Sequence, residues 1–219
     1  SSGSGNTFSI GNSGGSGTFS GVIKQTDADP FNLVKNGSGT QTLSGANTYT
    51  GTTTVSSGML IIDGSLANGT VTVASGATLG GSGTIGGAVD VSGTLNPGNS
   101  PGTLSTGSQT WQNGGSYDWQ LYDATAAAGT GFDTIDITGT LDLSNLTAGG
   151  FTLDLSTLSS HGPDVSGDAL NFLAHEEYAW TIVGTSGGIT GFNADNFTID
   201  STDFTNWLSP VAVFELEVI

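Results

Sequence analysis

The chain of 219 residues contains 37 Gly, 27 Ser and 32 Thr, against 35% apolar and 10% charged residues. Nineteen acids face two cations, Lys24 and Lys35, with no Arg and no Cys, for a net charge of −17. That balance argues against nucleic acid or any other polyanion as a partner, against phosphate-clamping transferases, and against disulfide or thiolate-metal frameworks.

The charge divides unevenly. Residues 1–110 carry four acids and both lysines, whereas residues 111–219 carry fifteen acids, no cation and all four Trp. Two regions are expected: a Gly/Thr-rich β-solenoid over 1–110 and an acidic, aromatic-containing, β-rich closing region over 111–219. No run of 18 apolar residues occurs, so direct membrane insertion is not expected. The leading SSGSG has no charged and apolar character, and any export signal is expected outside these residues.

In chain order, the Gly/Ser-rich start holds two short apolar strands, Thr7, Phe8 and Ser9, then Thr18 and Phe19. Further on, Thr53-x-Val55-Ser-Ser-Gly58 recurs eighteen residues later as Val71-x-Val73-Ala-Ser-Gly76 and again as Val89-x-Val91-Ser-Gly93, with Ile61 mapping onto Leu79 and then Leu95. Each copy reads as a short alternating strand, a Ser/Gly corner and a second apolar insertion. One copy cannot bury its apolar positions alone, but stacked copies build a continuous core. Gly, Thr and Val in place of Glu, Lys and Leu at 3.6 spacing disfavour helices. Six coils of about 18 residues, spaced about 4.8 Å apart, would make a rod of about 29 Å.

LVKNGSGTQTLSGANTYTGTTTVSSGML, from Leu33 to Leu60, resembles the autotransporter-associated β-strand repeat, with Lys35, Gly37, Gly39, Leu43, Ser44, Gly45, Tyr49, Gly51, Thr53, Val55 and Gly58 in its motif places. GTFSGVIK, Gly17 to Lys24, resembles the segment that leads into that repeat. The resemblance implies a right-handed parallel β-helix of the kind used in bacterial passenger domains and large surface proteins. One full copy here is followed by degenerate coils, where such proteins carry many. The stretches beginning at Tyr117 (YDWQLYDATAAAG) and at Tyr178 (YAWTIVGTSGG) resemble the acidic closing region of bacterial surface proteins that carry a Pro-Glu-Pro sorting signal; that signal is not within these 219 residues. Composition and resemblance together give an extracellular or bacterial cell-surface location as the expectation.

The second half alternates with period two. In IDITGTLDL, Ile135, Ile137, Leu141 and Leu143 share one side opposite Asp136 and Asp142. Phe151, Leu153 and Leu155 lie opposite Asp154, and Phe214, Leu216 and Val218 opposite Glu215 and Glu217. Short helical turns are expected at 124–128 and 168–177.

Candidate chemistry is sparse. His161 and His175 read as turn and loop residues. Asp133 with Asp136, Glu176 with Glu177, and Glu215 with Glu217 are the carboxylate pairs a glycosidase needs, by proximity only. Asp27, Asp29 and the acids from Asp195 to Asp203 could attract calcium, but match no calcium-loop spacing. A polysaccharide lyase on a β-helix would need Arg against its substrate, and none exists. Tyr117, Trp119, Tyr178 and Trp180 are expected inside, leaving Trp207 as the ring for a glycan contact. The expectation is therefore a non-enzymatic protein without a cofactor, at most with adventitious calcium. It would act as a spacer or self-assembling fibre subunit, pairing as a homo-oligomer or filament through Thr7, Phe8, Ser9, Thr18, Phe19, Phe214, Leu216 and Val218. The alternative is an adhesin for a neutral polysaccharide or a host or matrix surface.

Overall fold

Strands of two to ten residues, alternating buried and outward side chains and broken by Gly- and Ser-rich corners, recur along three faces of a single winding chain. The computed structural model describes residues 6–25, 30–67, 69–162, 165–208 and 213–218. Numbered in chain order, the first face holds β1 (Thr7–Ile10), β3 (Asn32–Lys35), β6 (Thr53–Val55), β9 (Val71–Val73), β12 (Val89–Val91), β15 (Gln109–Trp111), β18 (Leu141–Asp142) and β22 (Ile189–Thr190). The second holds β2 (Gly17–Phe19), β4 (Thr40–Leu43), β7 (Gly58–Ile62), β10 (Ala77–Gly81), β13 (Thr94–Pro97), β16 (Ser116–Leu121), β19 (Phe151–Ser160) and β23 (Phe197–Asp203), with β20 (Val165–Ser166) antiparallel to β19. The third holds β5 (Ala46–Asn47), β8 (Ser65–Leu66), β11 (Thr84–Ile85), β14 (Thr103–Thr106), β17 (Thr134–Ile137) and β21 (Val183–Thr185). Every strand pairing between successive coils is parallel, apart from one isolated antiparallel bridge at Gly81–Gly98, which makes the chain a parallel β-solenoid.

Inward positions stack into ranks. Leu60, Leu79, Leu95, Tyr117, Leu153 and Ile199 follow one another in register on the second face, and Val55, Val73, Val91 and Trp111 do so on the first. Leu60, Leu79, Leu95 and Tyr117 are wholly excluded from solvent. Each such side chain contributes about 1.5–3 kcal/mol by leaving water. The ladder crosses residue 110 without a break, since β12 pairs with β15, β13 with β16 and β14 with β17.

Coil length changes along the axis. The step is 20 residues from Leu33 to Thr53 and 18 from Thr53 to Val71 and from Val71 to Val89, then widens to 32 from Gln109 to Leu141 and 48 from Leu141 to Ile189. Among the described residues five coils, not six, precede Gln109, because the first turn is long: Phe8 pairs with Leu33. Leu79 stacks on Leu60 rather than on Ile61. Val73 stacks on Val55 and Ala77 on Gly58, so the corner between them, closed by the Ala77 N–H to the Ala74 carbonyl, holds one residue more in the later coil, which slips the second face by one. IDITGTLDL is two strands on two faces, not one. Thr138 to Thr140 turn the corner, and alternation survives because both strands point into the same core.

Residues 124–128 and 168–177 hold no helical turn. The first is a tight return closed by the Gly131 N–H to the Ala127 carbonyl, with Gly129 at positive φ; the second bridges Asp123 at Leu170 and then turns, with Asn171 at positive φ and the Glu176 N–H bonded to the Leu173 carbonyl. The helical element among the described residues is a single 3-10 turn, Ala194–Asn196, capped by the Asn193 side chain. Residues 213–218 form no strand, contrary to their alternation. Phe214 and Leu216 rest partly buried on the last coil without backbone pairing, and Val218 is exposed.

Candidate functional site

The motif places in residues 33–60 are structural joints. Lys35 occupies an inward rank between Ile10 and Val55, wholly buried, and its Nζ donates to the carbonyls of Asn36, Gly37 and Ser57 at 3.0, 2.9 and 2.9 Å. Its stem fills the core while its head gathers three corner carbonyls, of which that of Gly37 also accepts from Ser57 Oγ at 3.3 Å; burial lowers the ammonium's pKa. Gly37, at φ 70°, lies where a side chain would collide with the Gly11 carbonyl of the coil below. Tyr49 and Thr53 share a buried hydroxyl hydrogen bond of 2.6 Å, and burial raises the phenol's pKa.

The first coil leaves the core open. Among the described residues β1 pairs with β3 alone and β2 with β4 alone, so each has a second edge that no described strand occupies. Phe8 and Phe19 occupy inward ranks yet are 50% and 47% exposed, because no coil among the described residues covers them. With Val22, Ile23 and Phe31 they line a concavity of about 550 Å³, with Lys24 at its edge. Thr7, Phe8, Ser9, Thr18 and Phe19 thus lie at one end of the rod. Val22, Ile23 and Phe31 escaped the sequence reading; the apolar pair after GTFSG was their one signal. The other end differs: Phe214 packs edge-on against Phe204, 5.3 Å between centroids, and Leu216 lies with it over Phe197 and Ile199.

The outer side of the second face changes chemistry along its length. One rank runs Thr42, Ile61, Gly80, Asn96, and on neighbouring coils Asp118, Asp154 and Asp200 stand in register. Burial first, and the neighbouring Asp154 second, push the Asp118 pKa up to about 6 against a hydrogen bond from Asn96. Burial, Asp200 and Asp203 raise that of Asp154, whereas hydrogen bonds from Thr202 hold Asp200 below the usual range. The repeated apolar-Asp pair (Tyr117-Asp118, Leu153-Asp154, Ile199-Asp200) was the sequence signal for this rank. Because the native state binds the Asp118 and Asp154 protons more tightly than the unfolded chain, stability rises as pH falls from about 6 to about 4. Below about pH 4 the lowered carboxylates Asp123, Asp142 and Asp200 reverse the trend as their hydrogen-bonded charge is lost. Asp118→Asn is expected to stabilise the protein at pH 7 by about 1 kcal/mol, after solvent screening, and to change little at pH 4. Urea titrations at both pH values check this, and an equal effect at the two contradicts it.

The remaining candidates lie apart. Tyr117 and Trp119 are buried, and Trp180 stacks on Tyr178 at 5.0 Å and 5°, which in turn stacks on Phe172 at 5.2 Å. These rings use their faces on one another, while Trp207 is 72% exposed. Asp133 is buried, its carboxylate accepting the Gly102 and Gln120 N–H groups at 2.7 and 3.1 Å, whereas Asp136 is exposed on the outer side of β17. Burial and the Asp133 charge lift the Tyr117 phenol well above its ordinary pKa. Glu176 is exposed beside His175 at 3.7 Å, and His161 packs edge-on against Tyr122. Among the described residues no group of three His, Asp or Glu is placed to hold a metal ion; Asp27 and Asp29 lie outside them. No helix among them is long and apolar enough to cross a membrane.

Residues 33–62 match the family model of the passenger-associated-transport-repeat. The matched stretch is β3 to β7, with the Lys35 joint and the Tyr49–Thr53 bond inside it, which supports an autotransporter passenger repeat there. No curated protein matches the chain.

Proposed function

We propose that the chain is a non-catalytic structural segment of an extracellular bacterial surface protein, a β-solenoid spacer that joins end to end into a fibre. The free edges of β1 and β2 over an uncovered apolar floor carry this reading, because such an end gains hydrogen bonds and buries Phe8 and Phe19 when another strand is added. The passenger-type repeat at 33–62 supports surface exposure, and so do the closing stretches from Tyr117 and Tyr178 with their likeness to proteins bearing a Pro-Glu-Pro sorting signal. Mechanically, each coil is bonded to the next along three faces, so a pull across the rod is shared by many backbone hydrogen bonds.

Negative-stain microscopy and light scattering at micromolar concentration in physiological salt are expected to find filaments built of short rods. Isolated monomers alone would overturn the assembly. The adhesin alternative rests on the exposed Trp207. Saturable retention on a neutral polysaccharide, lost in Trp207→Ala, would favour it over the spacer.

A further inference from the structure

Both ends of the rod carry features that their own coils do not use. At the first, β2 offers a free edge whose inward positions are Gly17 and Phe19, with Thr18 outward. Gly17 ends the rank that runs back through Gln41 and Leu60, and beyond it lies space: a Cβ placed there would meet the Gln41 side chain at 3.8 Å and no other atom within 4 Å. At the other end, residues 213–218 alternate with strand period yet pair with nothing through their backbone. Phe214 and Leu216 are half-buried on the last coil, and Glu215 and Glu217 face solvent.

We propose that residues 213–218 of a second copy add to the free edge of β2 as a parallel strand, which deepens the assembly reading above and rests on it. Three observations converge on this occupant. Its i, i+2 apolar spacing sets Phe214 over the space at Gly17 and Leu216 over Phe19, continuing two core ranks. Parallel addition repeats the pairing that the successive coil strands of this face already use. Charge also matches: Lys24, an exposed cation, borders the concavity, and the incoming segment carries two acids, whereas the fifteen acids beyond residue 110 oppose contact between two C-terminal ends. The six described residues extend about 20 Å, enough to run the length of β2 and across the corner that follows it.

The absence of native Cys makes a cross-linking test clean. In this register Thr18 and Glu215 stand side by side on the outer surface, at about the 4.8 Å strand spacing, within the range a disulfide tolerates. Both residues are exposed, so Thr18→Cys and Glu215→Cys leave the core intact; circular dichroism checks this. Mixed and oxidised, the two single variants are expected to give a disulfide-linked heterodimer, and Ser105→Cys mixed with Glu215→Cys none. Lys24→Glu is expected to weaken association about tenfold at low salt, with recovery in the triple variant Lys24→Glu, Glu215→Lys, Glu217→Lys. Light scattering on the unmodified protein runs alongside. Filaments without the specific cross-link would overturn the donor-strand proposal and leave the fibre standing. Monomers only would overturn both.

Discussion

Lys35→Met is expected to lower the unfolding free energy by about 2–4 kcal/mol, the net of two opposed effects. Methionine keeps most of the stem volume between Ile10 and Val55, so packing changes little. What disappears is the donor shared by the half-buried Asn36, Gly37 and Ser57 carbonyls, of which only that of Gly37 keeps a side-chain donor, Ser57 Oγ, and an acceptor left without a partner away from water costs about 1–3 kcal/mol. Against this, removal of a desolvated ammonium returns part of the loss, since burial already lowers its pKa. The acceptors outnumber the single charge, and loss prevails. The damage is expected to centre on the turn from Lys35 to Ser57, which ties β3 to β7. Guanidinium titration measures the total, and faster amide exchange at Gly37 and Gly58 than at Val91 locates it. A change below about 0.5 kcal/mol, the size of an ordinary surface substitution, would mean that Lys35 is filler.

Trp119→Ala is expected to cost about 3–5 kcal/mol, the upper range for core truncation. Its indole is 2% exposed, packs against Phe132 at 6.0 Å and Trp180 at 5.5 Å between centroids, and donates from Nε1 to the Asp133 carbonyl at 2.8 Å. The consequence reaches beyond the cavity. Residues 168–182 form a long excursion between β20 and β21, and their ring stack, Phe172 on Tyr178 on Trp180, meets the core at Trp119 and Phe132 from one end and at Phe204 from the other. Near-ultraviolet circular dichroism of the aromatic stack is therefore expected to weaken at its Trp180 end, where the Phe132 contact alone remains, while Phe204 holds Phe172 and the far-ultraviolet strand signal persists. Trp119→Phe keeps a ring but loses the indole donor, and about 1 kcal/mol of the deficit is expected to remain. Retention of the full aromatic signal in Trp119→Ala would separate the excursion from the core.

Residues 53 to 95 were open to sequence reading because their coils are short and nearly equal. Apolar positions return at a fixed interval, and a unit too small for its own core must stack. The error of one residue at Ile61 came from the corner, where Ala77 adds a step that no periodicity can register. Alternation also marks which side chains face inward without telling which wall of the solenoid they belong to. That is why Ile137 and Leu141 read as one strand although Thr138–Thr140 turn between two faces. At the C-terminal segment the alternation of Phe214 and Leu216 was correct as a burial pattern and wrong as a strand, because pairing requires an edge in register. The role of Lys35 was invisible for a related reason. A lone cation reads as surface until register puts it beneath Val55. The open end was legible in Phe8 and Phe19, but Phe31 joins them at one floor only because the long first turn brings it back beside Phe8.

Single-molecule pulling from the two ends of the protein tests most directly that one uninterrupted ladder bears the load. Peeling of successive coils predicts a series of steps whose lengths follow the coils: about 60 Å for the 18-residue coils from Thr53 to Val89, and more than twice that for the 48 residues from Leu141 to Ile189. Two cooperative releases of equal length, separated near residue 110, would contradict a continuous solenoid and replace it with two independent domains.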